Sequence, residues 1–284
     1  MQSTDRFIES DGLRIHYLDW GGERGGENED EAADVATAEK QPLLLLHGIG
    51  RTAHNFDHLA PHFAQSYRVI APDLRGHGDS DWHPDAAYLV EDYVRDVEAL
   101  ISELSLANIA LWGQSTGGRV AQVIAGKFPE LVAAAVIEDV GPERPKEVSD
   151  RRAKRMGDEA DGWGTHDELL AAIQPRYPLT PEPVLRHFIL HGTKRRPDGR
   201  FVWKCDPKIT KGFIPTEIWR HVRDIQAPII YILGGASNIV PAETQAELKE
   251  ALLQVEIVTM PGLGHYPSDE RPEEFLEIVE GFLG

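Results

Sequence analysis

A chain of 284 residues with 41% hydrophobic content is long enough to close a large core, and its formal charge of −18 argues against nucleic acid or an anionic membrane as partner, since phosphate binding needs clustered Lys and Arg. The longest apolar runs, Leu43–Leu46 and Leu131–Ile137, fall far short of the roughly 20 residues of a membrane helix. One cysteine, Cys205, and a start at Met1-Gln2-Ser3-Thr4-Asp5-Arg6 without the charged-then-apolar order of a cleaved leader together predict a soluble protein of a reducing cytoplasm.

Phe7–Ser10 and Leu13–Trp20, joined at Asp11-Gly12, predict a β-hairpin. Gly21–Gln41 carries Gly-Gly twice and the acids Glu27, Glu29, Asp30, Glu31 and Asp34 with almost nothing to bury, so a solvated surface loop is expected there. Leu43–Leu46 is a fully apolar strand that delivers His47-Gly48-Ile49-Gly50. In a parallel sheet the loop beyond a strand's carboxyl end is where ligands bind, and glycines there let bare backbone approach. His54, His58 and His62 recur at four-residue intervals, a metal-ligand spacing on one helical face. Pro61 lies within that run and no carboxylate or Cys pattern accompanies it, so no metal site is expected. Tyr67–Ala71 is the next strand, followed by the glycine-rich turn Pro72–Ser80 and an amphipathic helix over Val90–Leu104.

Ile109–Trp112 then form a short apolar strand, and Arg119–Phe128 carry apolar residues at helical spacing. Between them Gly113-Gln114-Ser115-Thr116-Gly117 is a Gly-x-Ser-x-Gly pentapeptide on the strand-to-helix turn of a nucleophile elbow. Such a turn forces its central residue into a sparsely populated conformation and needs bare backbone two residues to either side. Val132–Ile137 is a further buried strand ending in Glu138-Asp139-Val140-Gly141-Pro142.

From about Gly141 to Arg223 the alternation of strand and helix stops, and basic clusters, prolines and aromatics mix. This predicts a helical cap over residues 141–223, inserted into a core made of residues 1–140 and 224–284. The cap aromatics Trp163, Tyr177, Phe188, Phe201 and Trp203 either line an apolar substrate pocket or form the cap's own small core. Cys205, in the polar stretch Trp203-Lys204-Cys205-Asp206-Pro207, reads as a bystander and not a nucleophile. Alternation resumes with a strand at Ile229–Leu233, a helix at Ala242–Leu253, a strand at Val255–Met260, the turn Gly262-Leu263-Gly264-His265 and a helix at Pro272–Phe282. The chain has no internal repeat, phosphate loop or dinucleotide fingerprint.

Four motifs in this order, His47-Gly48-Ile49-Gly50, Asp73-Leu74-Arg75-Gly76-His77-Gly78, the Ser115 elbow and Gly264-His265, make the chain resemble α/β-hydrolase-fold enzymes with a cap domain over nearly its whole length. The resemblance implies an α/β fold: a mostly parallel eight-stranded sheet flanked by helices, with a lid over the carboxyl ends of its strands. It also implies Ser115 as nucleophile, His265 as base, and an oxyanion hole from the backbone N–H groups of Ile49 and Thr116. A serine hydroxyl is a poor nucleophile until an imidazole takes its proton, and a buried carboxylate must hold that imidazole in the right tautomer.

The acid departs from the common pattern. Where the family usually writes Gly-x-x-Asp after the penultimate strand, this chain writes Gly234-Gly235-Ala236-Ser237, and a hydroxyl cannot supply the charge. Glu138-Asp139 offers a substitute, because haloalkane dehalogenases and a lactone-cleaving branch of the family place their acid after this strand. Adjacent strand residues point to opposite faces, so one of the two faces His265. The Asp-Val-Gly-Pro context favours Asp139, with Glu138 as the alternative. The expected activity is a serine hydrolase of small-molecule carboxylic esters or lactones, working through an acyl-enzyme without metal or organic cofactor. Cofactor-independent carbon–carbon cleavage or oxygenation on the same fold, and receptor-like ligand binding, are the competing expectations.

Overall fold

Unbroken apolar runs such as Leu43–Leu46 and Ile229–Leu233 suit strands covered on both faces, since side chains alternate across a strand and neither face can then meet water. The structure, a computed structural model, describes residues 2–21, 40–143, 146–159, 161–210 and 217–284; residues 22–39, nearly all of the expected Gly21–Gln41 loop, lie outside the described residues. The strands are β1 Thr4–Ser10, β2 Leu13–Asp19, β3 Pro42–Leu46, β4 Arg68–Pro72, β5 Ile109–Gln114, β6 Val132–Glu138, β7 Thr193–Arg195, β8 Phe201–Trp203, β9 Ile229–Gly234 and β10 Val255–Met260. The helices are α1 Ala60–Phe63, α2 Val90–Glu103, α3 Thr116–Lys127, α4 Lys146–Asp158, α5 His166–Ile173, α6 Glu182–Gly192, α7 Trp219–Val222, α8 Ala242–Ala251, α9 Pro267–Glu270 and α10 Pro272–Leu283.

Eight strands form one sheet in the order β1-β2-β4-β3-β5-β6-β9-β10. The β1–β2 hairpin is antiparallel, β2 meets β4 antiparallel, and every other pair is parallel. Strand parity builds two cores. Leu44, Leu46, Ile70, Leu111, Ile137 and Tyr231 face one side, against α2, α3 and α7, while Leu43, Leu45, Val69, Trp112, Val136 and Ile230 face the other, against α10 and the 3-10 turn Ala53–Phe56. Truncating one of these side chains to Ala would cost about 2–5 kcal/mol. The chain leaves β3 toward β4 on one side and later toward β5 on the other, so a switch point opens beyond the carboxyl ends of β3 and β5, where a doubly wound sheet binds its ligand.

Between β6 and β9 lie α4, α5, α6 and the small β7–β8 ribbon, and Leu169, Leu170, Ile173, Leu185, Phe188 and Ile189 form a separate apolar cluster there. The stretch expected to be cap does not stay apart to its end. Cys205, Ile209, Ile218, Trp219 and Val222 join the main core, the last two from α7, which packs on α3. Among the described residues no helix is long and apolar enough to cross a membrane.

Candidate active site

Ser115 stands between β5 and α3 at φ 51° and ψ −115°, a left-handed conformation that a non-glycine residue holds only when its surroundings impose it. The flanking glycines explain how. A Cβ on Gly113 would lie 2.4 Å from the Gly117 carbonyl oxygen, and one on Gly117 would lie 2.0 Å from that of Leu46. The backbone therefore turns tightly against β3, and the serine side chain stands clear of the turn. Ser115 is fixed further by its N–H donating to the Glu138 carbonyl (3.1 Å) and its own carbonyl accepting from Arg119 N–H (3.2 Å).

The loop after β3 runs alongside. A Cβ on Gly48 would touch Ser115 Cβ at 3.1 Å, so this loop passes directly beside Ser115, while Thr116 opens α3 directly after it. His47 anchors this loop. Its Nδ1 donates to the Gly48 carbonyl (2.8 Å) and its Nε2 accepts from Leu74 N–H (3.0 Å), a pattern that requires the neutral ring. Burial lowers the pKa of His47 further and outweighs the nearby Asp73 carboxylate. Asp73 in turn seats the following turn by accepting from Ala53 N–H (2.7 Å), Asp79 N–H (2.9 Å) and His16 Nδ1 (2.7 Å).

His265, in the loop after β10, meets Ser115 Oγ through Nε2 at 3.1 Å and Asp139 Oδ2 through Nδ1 at 2.7 Å. Burial pulls its pKa down, but the adjoining Tyr266 and the Asp139 carboxylate outweigh burial and leave it above 6.5. Asp139 sits just past β6 at φ 46°, and its carboxylate is fully occupied: Oδ1 accepts from Gly234 N–H (3.0 Å), and Oδ2 accepts from Ser237 Oγ (2.6 Å) as well as from His265. The two candidate positions for the acid thus converge, with the hydroxyl at one donating to the carboxylate at the other. Glu138 turns the opposite way. Its Oε1 accepts from Ser268 N–H (3.0 Å) and Oγ (2.7 Å) and its Oε2 from Trp112 Nε1 (3.2 Å), and burial raises its pKa to about 7.

Of the cap aromatics, Tyr177, Phe188 and Trp203 line a cavity together with Ile49, Arg51 and Tyr266, the neighbours of Gly48, Gly50 and His265. Trp163 does not; it packs edge-on behind Trp203 with ring centroids 5.8 Å apart, in a backbone bridge to Phe201. Cys205 also lines this cavity, buried where the sequence suggested a polar stretch. The free space is about 30 Å³, room for a water molecule or two.

Sequence reasoning missed Arg51 and Asp269. Their buried ion pair (2.7 Å) joins the loop after β3 to α9 just beyond His265, and Tyr266 stacks 4.0 Å beneath the guanidinium. Only the fold brings these two residues together, so no spacing in the chain announces them. The histidines at 54, 58 and 62 do not share a face: His62 pairs with Glu280, His58 reaches toward the Ser268 carbonyl (3.4 Å), and His54 turns to α6.

Over 264 residues the chain is 26% identical to the sn-1-specific diacylglycerol lipase ABHD11 of Mus musculus, covering 85% of this chain and 80% of that protein. It is 28% identical over 266 residues to the 3-hydroxybutyrate-oligomer hydrolase of Cupriavidus necator, covering 87% and 90%. The solved structure of E-2-(acetamidomethylene)succinate hydrolase superposes on 99% of both chains with a TM-score of 0.84 at 24% identity, a likeness of fold. These relatives support hydrolase activity. The family model for the alpha/beta hydrolase family matches residues 43–278, from β3 to α10, and the chain belongs to that family.

Proposed function

We propose that the protein is a serine hydrolase of carboxylic esters or lactones, acting through an acyl-enzyme. The observation that carries this reading is the unbroken relay from Ser115 Oγ through His265 to Asp139, at 3.1 and 2.7 Å. In the mechanism, His265 Nε2 takes the hydroxyl proton as Ser115 Oγ attacks the acyl carbon. The N–H groups of Ile49 and Thr116 receive the developing oxyanion, where one such donor is typically worth ~3 kcal/mol of transition-state stabilisation. The imidazolium then protonates the leaving alkoxide, and a water activated by the same ring hydrolyses the acyl-enzyme. Asp139 holds Nδ1–H throughout and offsets the charge on the ring.

The test is an aryl-ester assay with a pre-steady-state burst, joined to labelling by a fluorophosphonate. We expect a burst of one equivalent and a label on Ser115, both absent in Ser115→Ala. A variant that kept its turnover, with a wild type that escaped the label, would overturn the serine mechanism. Oxygen uptake with an aromatic substrate would favour oxygenation instead, and ligand binding without turnover a receptor.

A further inference from the structure

Four side chains outside the relay converge between the cap and the core. His54 and Asp57 come from the 3-10 turn Ala53–Phe56 and its end, three residues beyond the oxyanion loop. His187 and His191 lie one turn apart on one face of α6, some 130 residues later in the chain. One donor atom from each of the four lies within 4.8 Å of the other three. Asp57 Oδ2 accepts from His54 Nδ1 and from His187 Nε2, both at 2.9 Å, and the His191 ring packs with its centroid 3.8 Å from His54 and 4.4 Å from His187. All four are partly exposed, so an ion can enter.

Three imidazoles and one carboxylate form a donor set that suits a borderline divalent transition metal, and hard cations such as Mg(II) or Ca(II) much less. The second histidine and acid grouping, His16 with Asp73 and Asp79, is different: the Asp73 carboxylate already holds the turn together through backbone donors.

We propose that His54, Asp57, His187 and His191 form a site for a divalent transition metal, zinc above all, that ties cap helix α6 to the turn behind the oxyanion loop. Tetrahedral zinc with bonds of about 2.1 Å sets its ligand atoms about 3.4 Å apart, so the side chains close slightly from their present spread. The ion takes the place of the hydrogens that His54 Nδ1 and His187 Nε2 now share with Asp57: each ring binds through that nitrogen and carries its proton on the other, and a ring that was an imidazolium releases one proton to solvent. A consequence follows for turnover and rests on the hydrolase reading. Phe188, between the two α6 ligands in sequence, walls the cavity beside Ile49 and Tyr266 and stacks 4.8 Å from Arg51, so an ion that fixes α6 also fixes this wall. A bound ion holds α6 down and inhibits.

The test is a cobalt(II) titration of the full-length protein, read by the intense visible d–d bands of a four-coordinate site, followed by displacement with zinc, which should abolish the bands at one equivalent. His265 is also an imidazole and is the control. We expect one equivalent to bind, with the bands and affinity unchanged in His265→Gln. In His191→Ala and in the milder His187→Gln, affinity should fall by more than the roughly 10–100-fold that loss of a supporting partner costs. Circular dichroism verifies that each variant is folded. Absence of saturable one-to-one binding, or binding lost in His265→Gln yet kept in both α6 variants, overturns the site. Zinc inhibition of ester turnover should disappear in the same two variants, and inhibition that persists in them overturns the clamp.

Discussion

Glu138 and Asp139 are neighbours in the chain, yet their side chains turn opposite ways into different surroundings. Glu138 closes β6 and packs among Trp112, Gln114 and Ser268, where burial lifts its pKa to about 7. Asp139 steps past the strand end with a left-handed backbone and collects three donors, from Gly234, Ser237 and His265. The difference teaches that the surroundings, and not the carboxyl group, decide the role. One set offers a tuned site with donors for a charge, and the other offers a dry core that resists one.

The largest expected effect is the most direct attempt to break this contrast. Asp139→Asn keeps the shape but removes the charge that supports the imidazolium, and by analogy with a comparable triad the loss in kcat should approach ~10⁴-fold. Steady-state kinetics on an aryl ester reads it. In the double variant Asp139→Asn, Ser237→Asp a carboxylate returns 2.6 Å or so from where it was lost, since Ser237 Oγ already touches Asp139 Oδ2 at 2.6 Å. Activity well above the single variant is expected. A double variant no better than Asp139→Asn would mean that position 237 cannot reach the ring.

A second prediction concerns pH. In the proposed mechanism His265 acts as a base only when neutral, and its pKa is raised above the ordinary 6.5, so kcat/KM should fall as pH drops through a value above that of an unperturbed imidazole. A full pH profile measures the acid limb. A limb well below pH 6 would show that Asp139 does not hold the charged ring in the free enzyme.

What could be read from the chain follows the same divide. Strands covered on both faces announce themselves as apolar runs, and the elbow does so through glycines whose Cβ atoms the turn forbids. The missing carboxylate at Ser237 pointed to the end of β6, and strand parity reduced the choice to one of two. Ser237 itself read as a mere vacancy, because a donor to a carboxylate from another strand leaves no trace in local sequence. Arg51 with Asp269, and His54 with His187 and His191, are products of long-range folding. The four-residue spacing of His54, His58 and His62 drew attention to the wrong companions, since that stretch is a 3-10 turn and a four-residue helix and not one continuous helix. In the cap, Trp163 and Trp203 share one composition signal, and only packing sends one to the cavity wall and the other behind it.

Ser237→Ala sharpens the comparison with a smaller effect. It removes one of three donors to Asp139 and leaves Gly234 N–H and His265 in place. A hydrogen bond to a charged group is worth about 1.5–3 kcal/mol, and part of that is recovered by water at this partly exposed loop, so a loss in kcat of about tenfold or less is expected. A loss as large as that of Asp139→Asn would make the hydroxyl an essential part of the relay.

Glu138→Gln should have the smallest effect on catalysis and a distinctive effect on stability. Its side chain faces the core, so kcat should stay within a few-fold of wild type. Stability is another matter, because the folded-state pKa is about 7 against 4.5 for the free group. Between these values the native state binds more protons than the unfolded chain, so stability is greatest below about pH 4.5 and declines as pH rises to about 7, by an amount on the order of 3 kcal/mol. Glutamine cannot titrate, and that slope should vanish. The variant should be less stable than wild type at pH 5, since an amide must turn its NH2 toward either Trp112 Nε1–H or Ser268 N–H and leave a donor unmatched, a cost of about 1–3 kcal/mol. At pH 8, where wild-type Glu138 carries its buried charge, the gap should narrow or reverse. Thermal melts of both proteins from pH 5 to 8 read the difference, and parallel curves would mean that Glu138 is ionised throughout and that the core face tolerates charge as readily as the crevice does.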